Sequence, residues 1–123
     1  MNSKPNLLIV EDDDLLLKVY RSVFAKDFNL TMCQNDIEFD AAIEKDKYQI
    51  FLIDISLVGT KDGIQLIKEL RQIDDYKTIP IMVVTANAFK RDEEITMAAG
   101  ATKYYRKPID YKILLTDFKK YCN

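Results

Sequence analysis

The sequence predicts an α/β fold, a doubly wound parallel sheet of five strands with a helix after each. Three observations carry this. Five short apolar runs alternate with five stretches of helical apolar spacing along the whole chain. The first, third and fourth runs contain Leu7-Leu8-Ile9-Val10, Ile50-Phe51-Leu52-Ile53 and Ile81-Met82-Val83-Val84. They are almost wholly apolar, as expected of strands covered on both faces. Four runs also end in polar residues: Glu11-Asp12, Asp54, Thr85-Ala86 and, after Tyr104-Tyr105-Arg106, Lys107-Pro108. A strand joined to the next by a helix-length crossover pairs in parallel, with a right-handed connection. These polar ends therefore meet at one sheet edge, where doubly wound folds bind ligands.

The elements follow in order. A strand near 6–10 leads to a helix near 14–26, whose apolar stripe is read as Leu16, Val19, Tyr20 and Val23. Asp13 and Asp14 suit that helix start, because acidic side chains oppose the positive end of the helix dipole. A strand near 29–33 alternates polar Asn29 and Thr31 with Leu30 and Met32, the mark of a half-covered edge, and leads to a helix near 36–46. The strand near 49–54 is the most apolar and is read as central. Its helix, near 63–73, carries Ile64, Ile67 and Leu70 on one stripe and Asp62 as N-cap. A strand near 80–85 leads to a helix near 91–99, which ends at Gly100, where a left-handed terminator is wanted. The last strand, near 101–105, leads to a helix near 110–121, capped by Asp110 and charge-compensated by Lys119-Lys120.

Composition bounds the function. A chain of 123 residues with 48% hydrophobic content suits one domain over 1–123. A formal net charge of -2 gives no nucleic-acid footprint. No apolar stretch approaches the roughly 20 residues of a membrane span. Met1 to Asn6 is too short and polar for a signal peptide, so a cytoplasmic location is expected. Cys33 and Cys122 lack metal-ligand spacing and read as reduced thiols without function. The count of histidines is 0, which removes Ser-His-Asp and Cys-His catalysis and His-ligated zinc. Any phosphohistidine in the chemistry must then belong to another molecule.

Glu11, Asp12 and Asp54 would bring three negative charges together. Two such charges about 4 Å apart repel by roughly 4 kcal/mol at an effective dielectric near 20. Either a carboxyl takes up a proton or a cation settles the site. Oxygen-only donors favour Mg²⁺. Asp54, at the end of the central strand, is the best-fixed carboxylate and the expected nucleophile, since carboxylates do form aspartyl-phosphate intermediates. Lys107 would neutralise a transferring phosphoryl group and Thr85 would hydrogen-bond one of its oxygens.

The chain resembles bacterial response-regulator receiver domains, and is similar to the single-domain chemotaxis regulators among them. "LLIVEDD", "FLIDISL", "DGIQLIKELR", "IPIMVVTA" and "AAGATKYYRKP" match the family's motifs in order and at its spacing. The resemblance implies a flavodoxin-like sheet of order 2-1-3-4-5. It implies that Asp54 accepts a phosphoryl group from a histidine kinase or histidine phosphotransfer protein. Asp12, Asp54 and the Ser56 backbone carbonyl would hold Mg²⁺, for which Mn²⁺ or Ca²⁺ can substitute, with Glu11 acting through the metal's waters. Lys107 would pair with the phosphoryl group. Thr85 and the aromatic at Tyr104 would form the switch, with Tyr105 left as the alternative aromatic. A cis bond is expected at Lys107-Pro108. The sequence departs from the family's pattern at Glu11, where Asp is commoner, and at Val58, where Pro is usual. The stretch Val58-Gly59-Thr60-Lys61 is also one residue longer than usual. Ser56 and Asn87 occupy the positions that tune dephosphorylation.

These features describe a phosphoacceptor signalling module rather than an enzyme. Phosphorylation would remodel the surface of the fourth helix, fifth strand and fifth helix. With no DNA-binding segment after the last helix, output would run through a partner, a phosphorylation-dependent dimer or a phosphorelay. Two other readings fit less. A phosphohydrolase with an aspartyl intermediate would place its nucleophile after the first strand and carry a cap insertion. A flavin- or nucleotide-binding module would need a glycine-rich phosphate loop. A free-standing regulator and a receiver cut from a hybrid kinase both fit the sequence.

Overall fold

The computed structural model describes residues 3–56, 62–86 and 90–122. Its five strands are β1 (Asn6–Val10), β2 (Asn29–Cys33), β3 (Ile50–Asp54), β4 (Ile81–Thr85) and β5 (Lys103–Arg106). The helices are α1 (Asp14–Phe24), α2 (Asp36–Lys45), α3 (Gly63–Gln72), α4 (Lys90–Ala99) and α5 (Tyr111–Tyr121). All strand pairs are parallel, in the order β2-β1-β3-β4-β5. This is the flavodoxin-like order, with β3 central and β2 at an edge. A short 3-10 turn at Asp74–Tyr76 was not expected from the sequence.

Strand alternation divides the core in two. Leu8, Val10, Phe51, Ile53, Ile81 and Val83 pack with Phe39 of α2 and Leu66, Ile67 and Leu70 of α3. Leu7, Ile9, Ile50, Leu52, Met82 and Val84 pack with α1 and α5. On that face Phe24 stacks on Phe118 at 4.8 Å between centroids. The stripe expected on α1 needs correction: Leu17, Tyr20 and Phe24 are the buried residues, and Leu16, Val19 and Val23 are only half-covered. Both stripes fit the three- and four-residue spacing of a helix face, and they share Tyr20. The aromatic surface offered by Phe28 and Phe118 favours the one that brings Phe24 inward.

Helix starts follow the expected chemistry. Asp62 and Asp110 cap α3 and α5 through N–H groups of the first turn, and Asp13 caps α1. Gly63 lets α3 begin close to the end of β3. A Cβ there would lie 2.6 Å from Ile55 Cα and 2.9 Å from the Asp54 carbonyl oxygen.

Gly100 has φ of 123°, and a Cβ there would meet Arg71 Cγ at 2.6 Å. Arg71 crosses it to reach main chain in two segments, at Gly100 and in the stretch before β4. Its Nε donates to Gly100 O at 2.8 Å, and its Nη1 donates to Tyr76 O at 2.7 Å and Ile79 O at 2.8 Å. Nη2 reaches Thr102 Oγ1 at 3.3 Å. We expect Arg71→Met to strand these carbonyls and cost roughly 2–3 kcal/mol, read as a lower urea midpoint with an unchanged slope. A loss below about 0.5 kcal/mol, the range of ordinary surface changes, would show that the crossing carries no load.

Candidate functional site at the carboxyl ends of the strands

Parallel register assembles the site. Val10 pairs with Ile53, and β1 ends at Val10 while β3 runs on to Asp54. Glu11, the next residue along, therefore lands beside Asp54. Thr85 ends β4 opposite Arg106, and Lys107 follows at once. The Lys107 backbone N–H donates to Thr85 O at 2.8 Å, and the Lys107-Pro108 bond is cis, as expected.

Asp54 is 2% exposed and Glu11 is 1% exposed. Lys107 Nζ joins them, donating to Asp54 Oδ2 at 2.8 Å and to Glu11 Oε1 at 3.4 Å. The second Asp54 oxygen, Oδ1, accepts from the Ser56 backbone N–H at 2.8 Å and from Ser56 Oγ at 2.5 Å. Glu11 Oε2 accepts from the Asp13 backbone N–H at 3.2 Å.

The surroundings drive the two carboxyls apart in acidity. Burial, and then the Asp54 charge and a hydrogen bond shared with Asp54, push Glu11 up to about 7. Burial opposes the charge on Asp54 as well. There the hydrogen bonds from Lys107 and Ser56 win and hold the carboxyl below its usual range. Burial likewise opposes the Lys107 ammonium, but its bond to Asp54 and the nearby Glu11 raise its pKa. The Asp54 carboxyl is thus favoured as an anion where burial alone would favour its acid, and Glu11 is the more easily protonated of the two.

Of the residues singled out in the sequence, Glu11, Asp54, Ser56 and Lys107 form one hydrogen-bonded cluster. Asp12 follows Glu11 with an exposed side chain, and Thr85 is fully buried at the end of β4. Tyr104 is half-buried and packs against the α2–α3 side of the core, with Tyr105 on the opposite side. Among the described residues no three His, Cys, Asp or Glu side chains gather as a metal-holding cluster. The expected trio of carboxylates is therefore a close pair with Asp12 at its rim. Such a set still fits Mg²⁺, which takes one or two carboxylates and fills its octahedron with water, carbonyl and phosphate oxygens. The Val58–Lys61 loop and Asn87 lie outside the described residues.

The sequence reading gave Ser56 only a backbone carbonyl. Its N–H and hydroxyl are what hold Asp54, in the turn an aspartate makes with the residue two places on. The Asp54-x-Ser56 spacing was the available signal.

Comparison with known proteins identifies the family. The family model of the response regulator receiver domain matches residues 7–119. The polar-differentiation response regulator DivK of Brucella anthropi is 30% identical over 117 residues, covering 94% of each chain. The transcriptional regulatory protein CseB of Streptomyces coelicolor is 29% identical over 116 residues, but only 48% of its length is matched. Among solved structures, the receiver domain of the sensor histidine kinase PA1611 from Pseudomonas aeruginosa, with a magnesium ion coordinated in its active site cleft, superposes with a TM-score of 0.86 at 25% identity, covering 98% of each chain. The chemotaxis response regulator CheY4 of Vibrio cholerae shares the fold, with a TM-score of 0.88 at 19% identity over 97% of this chain and 99% of that one. Both the sheet edge and its sequence motifs therefore have one source: this chain belongs to the response regulator receiver domains of two-component signalling.

Proposed function

We propose that Asp54 accepts a phosphoryl group from a phosphohistidine on a partner histidine kinase or histidine phosphotransfer protein, in a Mg²⁺-dependent step. The observation that carries this reading is a carboxylate kept ionised while 2% exposed, with an ammonium 2.8 Å away. A nucleophilic carboxylate has to be anionic, and its neighbours make it so. Attack by an Asp54 oxygen forms a P–O bond as the donor's P–N bond breaks, and the electron pair returns to the imidazole nitrogen. Ser56 holds the attacking group in orientation. Lys107 meets the charge on the transferring oxygens, and the Thr85 hydroxyl bonds one of them. Asp12, Asp54 and the Ser56 carbonyl would hold Mg²⁺, with Glu11 turned to its waters. Bound there, the ion would neutralise phosphoryl charge and relieve the repulsion between Glu11 and Asp54. The magnesium in the PA1611 receiver supports this assignment.

The chain promotes only its own phosphorylation and dephosphorylation, rather than turning over a substrate. The phosphoryl group shifts a two-state equilibrium through Thr85 and Tyr104, and α4, β5 and α5 form the surface that changes. Tyr105 is tied down instead: its hydroxyl donates to Asp117 Oδ2 at 2.7 Å, and Lys103 holds the same oxygen at 2.9 Å. That tie favours Tyr104 as the moving aromatic. Output passes to a partner protein, to a phosphorylation-dependent dimer or along a relay, in the cytoplasm and without direct nucleic-acid contact. Among the described residues no helix is long and apolar enough to cross a membrane.

Incubation with ³²P-labelled acetyl phosphate and Mg²⁺ should label the protein once, and Asp54→Ala should abolish labelling. Lys107→Met should slow it by roughly 10²-fold, the scale of removing one charge-stabilising donor. Mg²⁺-dependent labelling that survives Asp54→Ala would move the acceptor elsewhere.

Glu11 also sets a pH signature in metal-free buffer. Its folded pKa, near 7, lies above the ordinary 4.5. The folded state then binds more protons between those values, so the contribution is present at low pH and lost as pH rises through 7. In EDTA, stability should fall by up to about 3 kcal/mol between pH 5 and 8, and Glu11→Gln should flatten the fall. The depressed Asp54 acts in a lower window, below its usual pKa of 3.8, and does not mask it. Urea midpoints across that range decide the matter. Equal slopes in both proteins would remove Glu11 as the titrating group.

A further inference from the structure

The sheet has two free edges, and the chain treats them differently. β5 begins at Lys103 and ends at Arg106, and both side chains form ion pairs, with Asp117 and Glu93. Charges on a bare edge keep it from pairing with another chain. β2, at the opposite edge, reads Asn29-Leu30-Thr31-Met32-Cys33 and carries neither a charge nor a proline.

Hydrogen bonds at both ends of β2 fix which groups point outward. The Asn29 N–H donates to Pro5 O at 2.9 Å, and Cys33 O accepts from the Glu11 N–H at 2.9 Å. Asn29, Thr31 and Cys33 therefore face β1. Leu30 and Met32 turn their N–H and carbonyl groups away from the sheet. No described residue bonds those groups. There is room beside them. A hollow of about 400 Å³ on the α2 side is bordered by Thr31, Cys33 and Lys45, and one of about 380 Å³ on the α1 side by Arg21, Met32 and Gln34.

Charge runs along this edge in one direction. Asp14 and Glu38 both accept from Gln34, just past the carboxyl end of β2. Lys45 lies two helical turns, about 10 Å, beyond Glu38 on α2. Arg21 lies as far beyond Asp14 on α1, where it reaches Met32 Sδ at 3.7 Å. Each flanking helix thus sets an acid at the carboxyl end of the strand and a base back toward its amino end. Two such edges complement each other when they meet antiparallel and repel when they meet parallel.

We propose that the β2 edge is a self-association surface, on which a second copy of this chain adds its own β2 antiparallel across a two-fold axis at Thr31. In that register Leu30 exchanges both backbone bonds with the partner's Met32, and symmetry repeats the exchange. The Thr31 side chains meet at the axis, a favourable cross-strand pair. Leu30 and Met32, which pack toward α1, extend that apolar layer across the junction. Two five-stranded sheets become one. The contact lies at the sheet edge opposite β5 and uses no member of the Asp54 cluster, so it needs no phosphoryl group. It is small beside a standard interface, and a weak, concentration-dependent dimer is its expected form.

Sedimentation equilibrium in EDTA and a thiol reductant, from dilute protein up to about 1 mM, tests this with no phosphodonor present. The mass should rise from monomer toward dimer, and hydrogen exchange at the Leu30 and Met32 amides should slow in step. Thr31→Lys sets like charges face to face at the axis and should weaken association at least about tenfold. Should that variant show no cooperative urea transition, the exposed Lys45→Glu replaces it and should weaken association roughly threefold. A monomer at every concentration overturns the proposal. So does a dimer that these substitutions leave unchanged, or one in which the two amides stay fast, because the contact then lies on another face. Protection of the two amides by an added extended peptide, in a chain that stays monomeric, overturns it as well and gives the edge to a foreign strand. None of these results bears on Asp54, whose labelling is measured separately.

Discussion

The site depends on one ammonium. Parallel pairing of β1 with β3 forces Glu11 and Asp54 together at the sheet edge, and both are almost completely buried. Two full charges about 4 Å apart would repel by roughly 4 kcal/mol at an effective dielectric near 20. Register cannot be slipped to relieve that, because a one-residue shift would turn every apolar strand side chain to the wrong face. The pair is eased instead by raising the pKa of Glu11 and by a nearby cation. Lys107 arrives from the far end of the chain, at the exit of β5, and reaches both carboxylates.

Each neighbouring element secures that arrangement at a different point. Gly63 lets α3 start against the Asp54 carbonyl. Ser56 fixes the Asp54 oxygen that Lys107 does not touch. Asp110 starts α5 immediately beyond the Lys107-Pro108 turn, so the strand carrying Lys107 cannot drift from the helix after it. At the opposite end of α4, Arg71 ties Gly100 to the segment leading into β4. One end of the α4–β5 unit is thus stapled to α3, while its other end borders Thr85 and Lys107. A change begun at Asp54 would meet a surface anchored at its far end.

Most of the fold was legible because strands covered on both faces leave an unmistakable apolar run, and β1, β3 and β4 are such runs. β2 was legible as an edge for the opposite reason, its polar alternation. Spacing alone could not choose between two apolar stripes on α1, because the choice is made by aromatic partners on α5 and in the turn after α1. Asp54 and Lys107 were readable from their place at strand ends. Arg71 was not, since an arginine on an amphipathic helix looks solvated until the carbonyls it meets are known.

The two buried acids show how one pocket obtains two chemistries from similar side chains. Burial acts on both in the same direction, so it cannot tell them apart. Donors do. Asp54 receives an ammonium at 2.8 Å and two bonds from Ser56, whereas Glu11 receives the same ammonium at 3.4 Å and one backbone N–H at 3.2 Å. The carboxyl with the better donors keeps its charge, while the poorer one is the more easily protonated. Exchanging the two donor sets would exchange the roles, with no change to the sheet beneath them.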